Sequence, residues 1–137
     1  MTIAPHRFPV SVKGVAIGDD GRVALRRNER DEWELPGGRL EPGETPEECV
    51  ARRVGDEVGW SVSADRLLDV WLYEPIPDRQ VLIVTYGCRV HAPDMPPANG
   101  DEREEIGLFD LAELPGLPMP DGYKGSINDW CRRRPGR

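Results

Sequence analysis

Residues 35–60, LPGGRLEPGETPEECVARRVGDEVGW, constrain the fold of this chain more than any other segment. The first part concentrates three glycines and two prolines, a combination that helices and strands do not tolerate, so it predicts a loop. The second part carries the start signal of a helix, with Thr45 as N-cap, Pro46 at the first helical position and Glu48 completing a capping box. Gly59 suits the left-handed residue that ends a helix. The segment therefore predicts a glycine-rich loop followed directly by one helix.

The flanking segments predict strands on both sides of this loop and helix. FPVSVKGVAIG and RVALRRN surround an Asp-Gly pair with alternating apolar residues, which indicates an opening β-hairpin. DRLLDVWLYE and QVLIVTYGCRV predict two more strands, the second central in its sheet because residues 81–84 are all apolar. EIGLFDLAEL predicts a short strand and a helical turn, and DGYKGSINDWCRRR a terminal helix. The pattern favours a single mixed α/β domain over residues 1–137, with a frayed basic tail at 132–137.

Bulk composition argues against several classes of function. The formal net charge of -7 leaves no overall basic face of the kind that holds nucleic-acid backbones. The three cysteines are far apart and form no C-x-x-C pair, which argues against a zinc knuckle or a disulfide framework. No apolar run approaches the roughly 20 residues of a membrane span, and the first residues do not resemble a signal peptide. We therefore expect a cytoplasmic protein that binds neither nucleic acid nor membrane.

The predicted helix places charged residues on one face beside the glycine-rich loop. At about 100° per residue, Arg53, Asp56 and Glu57 share an arc of roughly 100°. A neighbouring arc is apolar and should pack on the core; it comprises Val50, Ala51, Val54 and Val58. Because Glu44 ends the loop, carboxylates and backbone carbonyls can converge there, and such oxygen ligands suit Mg²⁺ or Mn²⁺. The alternative is a solvated face on which Arg52 to Asp56 and Arg53 to Glu57 form surface ion pairs.

The spacing of these residues is that of a longer pattern. From Gly38 the chain runs through five residues to Glu44 and seven more to Arg52, and continues with Val54, Asp56, Glu57, Gly59 and Trp60. This arrangement resembles the Nudix box, the loop-helix signature of the MutT-like Nudix hydrolases. WELPGG and EEIGLFDLAELP are also similar to family segments, so the likeness covers most of the chain. The resemblance implies the Nudix fold, an α/β/α sandwich with a mixed central sheet, and divalent-metal-dependent cleavage of a nucleoside diphosphate joined to a further group.

The resemblance also implies roles for individual residues. Asp56 and Glu57 match the metal-binding acids of the family, and the carbonyl of Gly37 often joins them. Glu44 and Arg52 match the positions that hold the loop and orient these acids through hydrogen bonds.

A further acid from a later loop often serves the family as a metal ligand or as the general base. The segment DEREE offers Glu105 first, then Glu104, and also Glu102. Glu57 is another candidate base if metal does not fully occupy it.

Two positions depart from the family pattern. Asp56 replaces a usual glutamate, which keeps the charge and shortens the reach by one methylene. Arg53 replaces another usual glutamate with a cation. Two unit charges at about 4 Å interact by roughly 4 kcal/mol at an effective dielectric near 20, so Arg53 cannot sit beside a metal ion where the glutamate would. Its side chain can extend into solvent, pair with Glu57 or receive a substrate phosphate, and we expect one metal site with lowered activity or altered metal preference.

The sequence constrains the substrate only weakly. Pro75 follows Gly59 by 16 residues, a spacing that resembles a feature of ADP-ribose pyrophosphatases, although an ordinary bend between strands explains it more simply. Trp33 is the candidate for stacking on a nucleobase. We expect a small-molecule substrate, a sugar nucleotide or ADP-ribose ahead of a nucleoside triphosphate. The rival hypothesis is a catalytically impaired Nudix domain that binds a nucleotide or a partner, and both hypotheses allow a homodimer.

Overall fold

The predicted strands and helices occur in the expected order, and two short strands at Trp33–Glu34 and Gly37–Arg39 were not predicted. The second of these lies in the segment predicted as a loop, because its backbone pairs with the strand Val10–Val15. The computed structural model of the protein describes residues 6–92 and 105–134. The strands are β1 Val10–Val15, β2 Val23–Arg27, β3 Trp33–Glu34, β4 Gly37–Arg39, β5 Ser61–Ile76, β6 Arg79–His91 and β7 Glu105–Phe109. The helices are α1 Pro46–Val58 and α2 Asp121–Arg133, with a 3-10 helix at Leu111–Gly116.

The strands form two sheets. The first has the order β4-β1-β6-β5, and the second has the order β3-β2-β7. Strand β1 runs parallel to β6, whereas the other pairs of the first sheet are antiparallel, so this sheet is mixed. Strand β6 has a neighbour on each side, which confirms that the apolar strand is central.

The predicted opening hairpin is right at its turn and wrong along its strands. An isolated bridge joins Ile17 to Val23, and the Ala24 N–H donates to the Ala16 carbonyl over 3.0 Å. Beyond this point β1 pairs with β4 and β6, while β2 pairs with β3 and β7. The two strands therefore diverge into different sheets, because each makes most of its backbone hydrogen bonds with partners from distant parts of the chain.

The two helices cover opposite faces of the strands and confirm the predicted α/β/α sandwich. Val12 and Ala24 belong to the buried cluster under α1. Val15 and Leu25 belong to the cluster that includes residues of α2. Side chains alternate between faces along a strand, so β1 and β2 each contribute to both clusters.

Helix α1 begins and ends where the sequence predicts. Thr45 Oγ1 accepts from the Glu48 N–H over 3.1 Å, and the Glu48 carboxylate accepts from the Thr45 N–H over 2.8 Å. Gly59 adopts the left-handed conformation at φ 83°, and its N–H closes the last turn on the Gly55 carbonyl. Both ends are thus fixed by local hydrogen bonds, which sets the rotation of the helix relative to the preceding loop.

The buried stripe of α1 differs from the predicted one at three positions. Val50, Val54 and Val58 are buried as predicted, whereas Ala51 is only partly buried. The buried face also includes Cys49 and Glu57. It extends toward the charged side of the helix because Glu57 finds polar partners on the strands.

The remaining segments add few constraints. Helix α2 includes Arg132 and Arg133 of the basic tail, and residues 135–137 of that tail lie outside the described residues. Residues 93–104 of the Pro-rich connection also lie outside them. Cys49, Cys88 and Cys131 are buried and form no disulfide. In the described part of the chain, neither helix has the length and apolar character needed to cross a membrane.

Gly14 and Gly125 offer a matched test of how closely α1 packs on β1. A Cβ atom at Gly14 would lie 2.8 Å from Val50 Cγ2, so we expect Gly14→Ala to destabilise the fold by about 1–3 kcal/mol through overpacking. Gly125 is exposed on α2 with no atom within 4 Å of an added Cβ, so Gly125→Ala should stabilise the protein by about 0.5–1 kcal/mol. Urea unfolding of both variants measures the difference. Equal stability of Gly14→Ala and wild type would contradict the close contact.

Candidate active site

The site is organised where β4 meets α1. Gly37 has φ 146°, and a Cβ atom there would lie 2.1 Å from the Val12 carbonyl oxygen, so only glycine fits. The Gly37 N–H donates to Glu57 Oε2 over 3.0 Å. Glu57 is 5% exposed, and this bond fixes its carboxylate beside the glycine-rich strand. The structure therefore brings together Gly37 and Glu57, which the sequence analysis paired as candidate metal ligands.

The other carboxylate oxygen of Glu57 is held by the cation Arg26. Arg26 Nη1 donates to Glu57 Oε1 over 2.5 Å. Arg26 Nε lies 3.3 Å from Glu34 Oε1, an ion pair without the alignment of a hydrogen bond. Lys13 Nζ lies 3.6 Å from the same Glu34 oxygen. Two cations and two carboxylates thus form one largely buried group that links β1, β2, β3 and α1.

Lys13 shows how strongly this group is removed from water. Burial lowers the pKa of the Lys13 ammonium, and the neighbouring Arg26 acts in the same direction. The carboxylates of Glu34 and Glu57 oppose this effect by favouring the charged form. Sequence reasoning missed Lys13, Arg26 and Glu34; the only available signal was Glu34 in the WELPGG approach to the box.

Glu44 and Arg52 form the loop-to-helix link. Arg52 Nε donates to Glu44 Oε2 over 3.1 Å, and Arg52 Nη2 donates to Glu44 Oε1 over 2.8 Å. The Glu41 N–H donates to the same carboxylate over 2.9 Å. The side-chain bonds from Arg52, followed by this backbone bond, lower the pKa of Glu44 to about 2. Arg52 thus faces the loop, and the surface pair with Asp56 considered above is not its main contact.

Arg53 folds back over the loop. A Cβ atom at Gly38 would lie 2.7 Å from the central carbon of the Arg53 guanidinium, so this group is packed against the backbone of β4. Arg53 Nε is buried and has no hydrogen-bond partner among the described residues. The side chain therefore lies against the first glycine of the box rather than extending into solvent.

The donor atoms fit a site for a hard divalent cation that other ligands must complete. Glu57 is buried and fixed, and Asp56 is exposed next to it on α1. In residues 6–92 and 105–134, no three acidic, histidine or cysteine side chains converge as a metal-binding group. Carboxylate oxygens with water and phosphate oxygens suit Mg²⁺ and Mn²⁺, which commonly bind through one or two carboxylates and the substrate. Glu57 and Asp56 fit this description, although Arg26 already contacts one oxygen of Glu57.

Glu105 is the candidate base of DEREE that the structure describes. Glu104 and Glu102 lie outside the described residues. Glu105 is exposed at the start of β7 and lies 3.5 Å from Arg27 Nη1. Arg27 and Glu105 are directly opposed in the sheet, so they share a face, whereas Arg26 projects from the other face. The Glu105 side chain thus lies on the face of the sheet away from Glu57. Its role as a base remains a prediction.

The Trp33 side chain is partly buried, so less of its ring is exposed than in an aromatic residue whose only contact is with a ligand. Its ring is partly buried and meets Phe109 edge to face, with centroids 4.7 Å apart. Its backbone N–H donates to the Pro118 carbonyl. Contact with a nucleobase remains a prediction for this residue.

Comparison with known proteins agrees with this arrangement. A family model described as the NUDIX domain matches residues 7–130. The MutT-like protein of Streptomyces ambofaciens is 40% identical over 101 residues, which cover 73% of this chain and 59% of that protein. The chain therefore spans less than two thirds of that relative's length. The ADP-ribose pyrophosphatase of Methanocaldococcus jannaschii is 30% identical over 135 residues, 93% of this chain and 75% of that protein.

A solved structure shows the same architecture. The MutT NUDIX hydrolase of Burkholderia pseudomallei matches with a TM-score of 0.69 and 25% identity. The match covers 90% of this chain and 98% of that one.

The Glu44 link predicts a specific loss of stability in acid. The pKa of Glu44 is about 2 in the folded protein against an ordinary value of 4.5, so its ion pair stabilises the fold above about pH 4.5. This contribution should disappear as the pH falls from about 4.5 to about 2. We expect Glu44→Gln to be less stable than wild type at pH 7 and to lose less stability across that window.

Urea midpoints measured from pH 7 to pH 2.5 test this expectation. Glu29→Gln is the matched control, because Glu29 is 81% exposed on a turn. The control should follow the wild-type profile. Parallel acid profiles for Glu44→Gln and wild type would show that the ion pair does not set this dependence.

Proposed function

Since this chain belongs to the Nudix hydrolase family, we propose that it hydrolyses the diphosphate of a nucleoside diphosphate-X compound with the help of Mg²⁺ or Mn²⁺. The fold predicted from the box is confirmed, and hydrolysis of pyrophosphate bonds is the activity of the family. The observation that carries the proposal is the buried carboxylate of Glu57, fixed against the Gly37 N–H on the helix of the box.

The proposed substrate is a sugar nucleotide or ADP-ribose ahead of a nucleoside triphosphate. Similarity to an ADP-ribose pyrophosphatase over 93% of the chain supports this order. We propose that the protein acts on such free nucleotides in the cytoplasm and does not bind nucleic acid. That the protein forms a homodimer also remains a prediction.

Each residue of the site has a definable task in this reaction. Glu57 and Asp56 would hold the metal ion, whose positive charge neutralises the diphosphate and lowers the pKa of bound water. Arg26 and the Gly37 N–H keep the Glu57 carboxylate in one orientation. Glu44 and Arg52 hold the loop against α1, so the backbone of the glycine-rich strand stays aligned with these acids.

Arg53 distinguishes this site from one with a full set of acids. Its guanidinium lies beside Gly38, and its buried Nε has no hydrogen-bond partner among the described residues, so a rotation of the side chain would present this donor to a phosphate oxygen. We propose that Arg53 contacts the substrate diphosphate and that its charge weakens metal binding at Glu57 and Asp56. The proton acceptor would then be Glu104, Glu105 or Glu57 itself.

The same observation supports a second candidate function. A cation near the box glycine and the small number of acids in the described part of the site would also suit a domain that binds a nucleotide without cleaving it. In this alternative Arg53 serves recognition, and Glu57 remains paired with Arg26.

A nucleotide screen with a matched inactive variant tests the proposed reaction. We expect wild-type protein to release a nucleoside monophosphate from ADP-ribose or a sugar nucleotide in the presence of Mg²⁺ or Mn²⁺. Glu57→Gln should lower kcat by about 100-fold, because the metal loses an anionic ligand. Glu47→Gln is the control, since Glu47 is exposed on the same helix and contacts Tyr86. No product from any nucleotide with wild-type protein would favour the binding-domain alternative.

Arg53→Glu tests whether the arginine limits turnover. Restoring an acid should tighten Mn²⁺ binding and raise kcat, each by about tenfold, because an attractive charge replaces a repulsive one near the metal. Electron paramagnetic resonance of free Mn²⁺ measures the binding directly. Arg66→Glu, an equal charge reversal at an exposed position of β5, should change neither value. Equal high turnover in Arg53→Glu and wild type would remove the proposed role of Arg53.

A further inference from the structure

A separate pocket lies between residues 6–9, which precede β1, and the turn that joins β5 to β6. Its volume is about 680 Å³, within the range of sites that hold small molecules. Arg39 of β4 and Arg30 from the loop before β3 complete its wall. None of the candidate catalytic or metal-binding residues lines it.

The pocket is positively charged in a chain that is negative overall. Four arginines and two acids line it, an excess of two positive charges, whereas the whole chain carries -7. Arg30 is partnered, because it lies within ion-pair distance of Glu29 and Glu32. Arg7, Arg39 and Arg79 have no ion-pair partner among the described residues. Glu74 and Asp78 line the same cavity without forming an ion pair with these three arginines, so they offset the positive charge only in part, and a bound anion relieves the remaining repulsion.

Strand β4 connects this pocket to the site. Gly37 and Arg39 are two residues apart, so about 7 Å of strand separates them and they belong to the same face. In the register with β1, Gly37 lies opposite Lys13 and Arg39 lies opposite Ser11. If the diphosphate of a substrate lies at Gly37 and one of its two halves follows this face of β4, that half reaches Arg39.

The pocket also offers apolar surface beside the cations. Phe8 is 38% exposed and Ile76 is 49% exposed, which leaves room for contact with a ring. A ligand half that carries both a ring and an anionic group fits this combination. A guanidinium fork binds phosphate oxygens bidentately, so a phosphate monoester can engage more than one of these arginines.

We propose that this pocket binds a phosphate monoester on one half of the substrate, so that the protein prefers nucleoside diphosphate-X compounds with an additional phosphate beyond the diphosphate. The inference rests on the proposed function for the position of the diphosphate. The inference narrows the proposed substrates to compounds with an additional phosphate, because the metal site alone does not distinguish these from compounds that carry only the diphosphate.

Three compounds that differ only in this phosphate provide the experiment. Hydrolysis and calorimetric binding are measured for ADP-ribose, ADP-ribose 2′-phosphate and ADP-ribose 1″-phosphate, which place the group on neither half, on the adenosine half or on the ribose half. We expect one phosphorylated compound to have a KM and a Kd about tenfold lower than those of ADP-ribose. The preferred compound identifies the half that occupies the pocket.

Substitutions of the pocket arginines test whether the preference for the additional phosphate arises in this pocket. Arg79→Gln and Arg39→Gln should remove most of the tenfold advantage while changing the KM for ADP-ribose by less than about twofold. Arg89→Gln is the control, since Arg89 is exposed toward the other end of β6 and pairs with Asp65. It should retain the full preference.

The outcomes separate this inference from the proposed function. Hydrolysis of all three compounds with equal KM and Kd overturns the assignment of the pocket as a phosphate site and still supports the proposed hydrolase activity. Tighter binding of a phosphorylated compound without hydrolysis supports the pocket and rejects the hydrolase. A preference that survives both Arg79→Gln and Arg39→Gln places the phosphate elsewhere and overturns the inference.

Discussion

The structure depends on the carboxylate of Glu57, which joins α1 to both sheets. One oxygen accepts from the Gly37 N–H on β4, and the other accepts from Arg26 on β2. A buried carboxylate is costly without such partners, so these two bonds fix where the helix lies relative to the strands. The same bonds hold Glu57 in one orientation. The interaction that stabilises the fold at this point is therefore also the one that orients Glu57, the proposed metal ligand.

The close approach of α1 to the strands requires small residues at defined points. Gly14 leaves space for Val50 and Val54, and Gly37 leaves space for the backbone of β1. Gly38 leaves space for the Arg53 guanidinium. Each glycine removes a Cβ atom that would separate α1 or β4 from its neighbour. The glycine-rich loop is thus as much a packing requirement as a flexible connection.

The electrostatic balance of the site differs from that of a simple acidic cluster. Lys13 and Arg26 accompany Glu34 and Glu57 in the buried group, and Arg53 adds a further cation beside Gly38. In the proposed reaction, Arg53 would bind part of the diphosphate charge, which would reduce the share of charge neutralisation left to metal ions. Further along β4, Arg39 lines the arginine-rich pocket. Arg53 and this pocket are the two features on which the proposal of a substrate with an additional phosphate rests.

The sequence by itself determined the features that depend on neighbouring residues. The Thr45 cap and the Gly59 end follow from short spacings, whereas the resemblance to the Nudix box implied the Glu44–Arg52 link, and all three are present. Only the tertiary structure decided the partner of Glu57, because Arg26 is 31 residues away and reaches it through the pairing of distant strands. The divergence of β1 from β2, the direction of Arg53 and the burial of Lys13 were decided in the same way. Local hydrogen bonds follow from spacing along the chain, whereas contacts between elements follow from strand register and packing, which a single sequence does not encode in any short pattern.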